Sequence, residues 1–370
     1  MIGIEAGLLT IDLGAIAANY RLLQDKAGSA VCAAVVKADA YGLGMEKVAP
    51  ALAQAGCRTF FVATLEEGVA LRGVLKDAAI HVFNGVPSGG GGVFAEHKLT
   101  PVLNSLGDIE AWAAYCKQAG QALAAGVHAD TGMSRLGLPA YELQTLAAEP
   151  QRLEGVKPAY VMSHLARANE ANNHMNRRQL EKFAQALESL AASPASHCAS
   201  LANSSGIFLG GDYHFQMVRP GSALYGVSPM TEGPNPMAQV VRLQGKILQI
   251  REIDSPLTVG YGATRKVGPG ERIATVAIGY ADGYPRSLSN SGCGFIGSYK
   301  APVIGRVSMD LITLDVTKIP SDSVHPGTMV DLIGPHNPVD DVAKRAGTIG
   351  YEILTSLGAR YQRAYVGAKV

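Results

Sequence analysis

The stretch VCAAVVKADAYGLGMEKVAPALAQAGCRTFFVAT, residues 31–64, sets two short apolar runs, around Val35 and Phe61, at either end of a helical segment. Strand, helix, strand is one βα repeat. The alternation runs from about Thr10 to about Tyr225, with further strand candidates near Val82, Val102, Val127, Val161, Leu201 and Val218. Between the later strands, Leu180, Phe183, Ala184 and Leu187 fall at i, i+3, i+4 and i+7, which predicts a helix with these side chains on its buried face. Eight strands with intervening helices predict an α/β region, a (β/α)8 TIM-type barrel over residues 10–230.

The segment TEGPNPM, 231–237, breaks that texture with two prolines and a glycine. Beyond it, short alternating runs such as Ile312, Leu314 and Val316 are separated by turns like VGPGE and GPHNP. A mostly β domain is expected over residues 231–370, with residues 1–9 a candidate to pack with it.

A chain of 370 residues, 47% hydrophobic and 17% charged, is long enough for a large core and lacks the composition of a disordered protein. Its formal charge of +1 gives no general attraction for nucleic acid or an anionic membrane. The opening residues show no basic leader followed by an apolar block, and no run is long enough to span a bilayer, so a cytoplasmic protein is expected. The five cysteines, Cys32, Cys57, Cys116, Cys198 and Cys293, form no CxxC pair and read as reduced, core-filling thiols. No metal site is expected. Residues 292–297 match GxGxxG but lack the flanking strand and helix of a dinucleotide turn, and the glycines at 89–92 lack the lysine of a P-loop and read as a flexible loop.

In such a barrel, chemistry sits at the C-terminal ends of the strands. Lys37 ends the apolar run AVV on the first strand. By itself it reads more readily as a lysine snorkelling to solvent. Desolvation there would lower its pKa from about 10.4 and free the amine for a Schiff base. Arg219, Pro220, Gly221 and Ser222 end the eighth strand, which ring closure sets beside the first. Asn203 and Ser204 end the seventh, and loops after strands seven and eight are a frequent phosphate site. A phosphorylated ligand beside a lysine points to pyridoxal 5'-phosphate (PLP). Arg135 offers a grip on a carboxylate, and His164 is a polar residue at a strand end.

Nine motifs in register, AVVKADAYGLG, ADTGMSRLG, MSHLA, LANSSG, VRPGSALYG, VGYGAT, AIGYADGYPR, GRVSMD and YEILTSL, resemble those of the alanine racemases. The resemblance spans nearly the whole chain and implies a PLP-dependent isomerase that interconverts L- and D-alanine with two bases, supplying D-alanine for peptidoglycan. It implies PLP on Lys37, which also serves as base on the D face. Tyr261 would be the base on the L face, donated by the partner subunit of a homodimer. Tyr41, Ser204, Gly221, Ser222 and Tyr351 match groups around the phosphate. Arg219 matches the arginine facing the pyridine nitrogen, and His164 a histidine linking it to the tyrosine base. Arg135 and the Met309 N–H match the substrate-carboxylate end, while Tyr280 and Tyr284 are expected along the approach to the site. His128 stands where many family members carry a lysine that becomes carbamylated and orients the carboxylate arginine.

Other readings are a serine or broad-specificity racemase of the same fold, and a PLP-dependent decarboxylase, which needs no second base at Tyr261. A PLP-binding protein without catalysis would be a bare barrel. An aldolase using Lys37 alone leaves the phosphate loops without a purpose.

Overall fold

The computed structural model describes residues 7–191 and 198–367. Seven short strands, Ala34–Val35, Thr59–Val62, Ala79–Val82, Leu99–Leu103, Leu123–His128, Val156–Met162 and Ala199–Ser200, pair in parallel in chain order. An eighth, Met217–Val218, pairs in parallel with Val31–Cys32, which precedes Ala34–Val35 on the first strand. The Ala33 and Val35 N–H groups donate to the carbonyls of Val218 and Pro220 at 2.8 and 2.9 Å, and Asn203 forms a bridge to Arg219 on the other side. These bonds close the ring, so the end of the last strand lies against Lys37. Below the mouth, Ala33, Val35, Phe61, Val102, Tyr160, Met162 and Met217 fill the bore. His81 stacks on Phe61 and meets the Tyr160 hydroxyl at 3.2 Å.

The helix His174–Ser189 is turned relative to the expected stripe. It buries Asn176, Gln179, Phe183 and Ala186, leaves Leu180 and Leu187 half-buried, and exposes Ala184. The cause is polar. Gln179 is drawn inward because its amide accepts from the Ala166 N–H at 2.9 Å and donates to the His164 carbonyl at 2.9 Å. Satisfying a buried amide outweighs burying one methyl group. Of the glycines at 89–92, Gly91 and Gly92 open a short helix, Gly91–Glu96, and are not part of a free loop. Gly91 lies on the Tyr115 ring, where a Cβ would come within 2.5 Å.

The second region is mainly strand. Tyr299–Pro302, Cys293–Ile296, Met329–Ile333, Val241–Glu252, Gly7–Asp12 and Gln362–Val366 lie side by side in that order. Arg272–Val276 branches from Val241–Glu252 and pairs on its other edge with Ile312–Asp315. Residues 292–297 belong to an antiparallel hairpin, a setting with no phosphate-binding helix. Cys32, Cys57, Cys116 and Cys293 are buried and Cys198 is half-buried, all as free thiols. No helix among the described residues is long and apolar enough to cross a membrane.

Candidate active site

Lys37 stands where the first strand ends, and the backbone after it reverses hand. Ala38, Asp39, Ala40 and Tyr41 all have φ between 51° and 56°. Each such residue costs about 1–2 kcal/mol, so the turn must be held from outside. Glu67 supplies one clamp: its Oε1 accepts the Ala38 N–H at 2.6 Å and its Oε2 the Ala63 N–H at 2.7 Å. Asp39 supplies another, accepting the Met45 N–H at 2.7 Å. Two more come from the strand Gln362–Val366, with Arg363 donating to the Gly42 carbonyl at 2.8 Å and Tyr365 to that of Leu43 at 3.0 Å. Burial pushes the Lys37 pKa down, Arg135 pushes the same way, and Glu67 opposes them. Its Nζ lies 5.8 Å from the centre of the Phe83 ring.

The reversed turn delivers Tyr41 to the loops that follow the last two strands. Its ring lies 4.8 Å from that of Tyr225 and 6.2 Å, edge-on, from that of Tyr351. Tyr351 arrives on the helix Gly350–Thr355 from the second region. Tyr225 is itself anchored, its hydroxyl donating to the Val35 carbonyl at 2.9 Å. Gly221 passes so near Tyr41 that any side chain there would strike it. The Ser204 hydroxyl accepts the N–H groups of Gly221 and Ala223 at 2.9 and 3.2 Å, and buried Ser222 opens the turn Ser222–Tyr225. Asn203 is a brace: its side chain accepts the Gly206 N–H at 2.9 Å and donates to the Leu165 carbonyl at 3.3 Å.

Arg219 is buried across this mouth. Its terminal nitrogens donate to the Ser200 hydroxyl, to the Ser163 carbonyl at 2.5 Å and to the Leu201 carbonyl at 3.5 Å, while its Nε has no partner. Burial pushes its pKa down to about 10, which still leaves a cation at neutral pH. A buried, charged N–H with nothing to bond is costly, so the site calls for an acceptor in front of it. A pyridine nitrogen has that chemistry, and the Ser204, Gly221 and Ser222 loop has the hydroxyl and N–H groups that suit a phosphate. The residues fit PLP.

His164 lies near these cations. Burial, then Arg219 and Arg135, hold its pKa well below the usual imidazole range, so its ring is neutral. Its carbonyl accepts from Gln179, and the bonds that Arg219 makes run to Ser200, Ser163 and Leu201. Arg135 is exposed on the 130–138 loop, which Asp130 shapes by accepting the N–H groups of Gly132, Met133 and Ser134 at 2.9, 3.0 and 3.1 Å.

Two expected site residues stand apart within the single chain. Tyr261 is 73% exposed and Met309 53%, both on the second region. Tyr261 borders a surface crevice with Tyr280, Arg286, Arg306, Val307 and Ser308. Tyr284 is 2% exposed and belongs to the core, so of the two tyrosines in GYADGY only Tyr280 reaches this surface. Reading the sequence also missed Glu67, Ser163 and Ser200, the groups that hold the lysine turn and Arg219. Glu67 was legible as the last residue of a capping box begun by Thr64; what that box clamps was not.

The models "Alanine racemase, N-terminal domain" and "Alanine racemase, C-terminal domain" match residues 11–229 and 240–365. The alanine racemase of Rhodospirillum rubrum is 50% identical, over 98% of this chain and 96% of its own length. A catabolic alanine racemase of Agrobacterium fabrum is 48% identical, over 98% and 93%. Among solved structures, alanine racemase from Bartonella henselae with covalently bound pyridoxal phosphate superposes with a TM-score of 0.93 at 44% identity, covering 98% of this chain and 99% of that one. The biosynthetic alanine racemase of Pseudomonas aeruginosa gives 0.89 at 32% identity, covering 98% and 99%.

Proposed function

The chain belongs to the alanine racemase family, and from that premise we propose that it interconverts L- and D-alanine with PLP attached covalently through Lys37 Nζ. The observation that carries the reading is the convergence of a desolvated lysine, the Ser204 and Gly221 loop, and the unpartnered Nε of Arg219 at one barrel mouth. When bound, PLP supplies the electron withdrawal that makes the substrate Cα–H acidic.

The chain's own residues do the rest. Tyr41, Ser204, Tyr351 and the backbone of Gly221 and Ser222 hold the phosphate, with Asn203 bracing their loop. Arg219 stays protonated, and its unpartnered Nε would donate to the pyridine nitrogen of bound PLP, which would temper the ring as an electron sink and favour simple proton return over transamination. His164 lies beside it as a neutral ring. Arg135 and the Met309 N–H hold the substrate carboxylate. Racemisation needs a proton moved at either face of Cα, and therefore two bases. Lys37 Nζ serves the D face. Tyr261 Oη serves the L face and is donated by the partner subunit of a homodimer, in keeping with its exposure in the single chain. In this division residues 10–230 carry most of the cofactor site, with Tyr351 added from residues 231–370, which also present Tyr261 and Met309; of residues 1–9, those before Gly7 lie outside the described residues. The reaction would take place in the cytoplasm and furnish D-alanine for peptidoglycan.

Chiral product analysis with a panel of L-amino acids and added PLP tests the reading. L-Alanine should approach equal amounts of both enantiomers faster than any other substrate. Preference for L-serine would shift the substrate, and release of carbon dioxide with an amine would replace racemisation by decarboxylation.

A further inference from the structure

His128 ends the strand Leu123–His128, buried beneath the 130–138 loop that carries Arg135. The loop is tied to it at both ends. Leu138 N–H donates to the His128 carbonyl at 2.7 Å, and Asp130 N–H to the Leu138 carbonyl at 2.9 Å. A Cβ placed on Gly137 would lie 3.0 Å from His128 Cδ2, so that edge of the imidazole faces the loop.

The opposite edge is fixed by Asn104, just past the end of the neighbouring strand Leu99–Leu103. Its Nδ2 donates to the carbonyls of Phe83 at 2.9 Å and Val102 at 3.0 Å, which uses both amide protons. The atom 2.8 Å from His128 Nδ1 is therefore Oδ1, which can only accept. Nδ1 must carry the proton.

We propose that Asn104 locks His128 in its Nδ1–H tautomer, so that Nε2 keeps a lone pair as an acceptor for the guanidinium of Arg135, exposed on the loop above it in the single chain, when substrate is bound. Asn104 and His128 are then positioning residues for the arginine that grips the substrate carboxylate, a role that rests on the function proposed above. The electrostatics agree. Burial first, then Arg219 and Arg135, push the His128 pKa down to about 4, with Asp130 alone opposing, and the nearby ring of His164 is also held neutral. A proton on Nε2 would place a third cation among two guanidiniums and remove the lone pair at the same time.

The test is the side-chain 15N spectrum of the 15N-histidine-labelled holoenzyme, with His128 assigned by the signal missing from His128→Gln. At pH 7 the proton should sit on Nδ1 with Nε2 bare, and this pattern should persist to about pH 5. A proton on Nε2, alone or together with Nδ1, would overturn the proposal. Asn104→Asp should retain Nδ1–H but raise the His128 titration towards neutrality. The KM for alanine should then climb several-fold as pH falls from 8 to 6, with kcat less affected, while the unmodified enzyme shows no such climb. A raised titration with a flat KM would break the proposed link between His128 and Arg135. Failure of the underlying reading looks different: Arg135→Lys would leave the KM for alanine unchanged while the tautomer result stood.

Discussion

Gly221 and Tyr41 are packed so closely that a Cβ on Gly221 would lie 2.4 Å from the Tyr41 hydroxyl oxygen. Tyr41 cannot swing away, because its backbone is held in the left-handed turn and its ring lies between Tyr225 and Tyr351. Overpacking of this kind costs about 1–3 kcal/mol. Gly221→Ala should therefore weaken PLP binding about tenfold or more while the chain still folds, read by absorbance titration of the apoenzyme with PLP. Unchanged affinity would remove this loop from the phosphate site.

Loss of the second base should unbalance the two faces. Tyr261→Phe should abolish racemisation yet leave PLP bound, since Tyr261 stands apart from Lys37 in the chain and has no part in holding the Lys37 turn. Deuterium wash-in from solvent should then differ sharply between D- and L-alanine, persisting on the face that Lys37 serves. If Tyr261→Phe racemises at a near-normal rate, the base lies elsewhere, and the exposed Tyr280 in the same crevice is next in line.

Bicarbonate should not activate this enzyme. An imidazole forms no stable carbamate, and His128 already has protein partners at its carbonyl and at Nδ1. Assays in carbon-dioxide-depleted and bicarbonate-supplemented buffer should agree, and intact mass should show no added carboxyl group. A clear requirement for bicarbonate would mean that a lysine elsewhere carries the carbamate.

Buried histidines should make the fold acid-sensitive. His81 and His128 are each pushed down to about 4 by burial, and His164 lies well below its usual value. In the window from about 6.5 down to about 4, the unfolded chain takes up protons that the folded chain refuses. Stability is thus complete above about 6.5 and is lost as pH falls, by at most about 1.4 kcal/mol per pH unit for each group. Urea midpoints at pH 7.5, 6 and 5 should decline in that order, and His128→Gln should flatten the decline. Equal midpoints would show that these imidazoles are protonated in the fold.

Much of the barrel was legible because each strand is an apolar run and Lys37 is the one charge ending the first of them. The left-handed turn behind Lys37 was not. Ala38 to Tyr41 contain no glycine to announce it, and the groups that enforce it include Arg363 and Tyr365, more than 300 residues away. The rotation of the helix His174–Ser189 was hidden for a similar reason, since Gln179 turns inward for partners on another segment. Tyr284 reads like Tyr280 in the motif GYADGY, and only packing separates the core residue from the surface one. Arg219 was legible as a strand-end cation; its unpartnered Nε, the sharpest pointer to a ring acceptor, is a property of the folded mouth.

Borohydride reduction of the holoenzyme followed by peptide mapping tests most directly whether this barrel mouth is the catalytic centre. A phosphopyridoxyl group should be found on Lys37 alone, with the absorbance of bound cofactor lost from Lys37→Ala. Label on any other lysine, or no label after reconstitution with PLP, would contradict it.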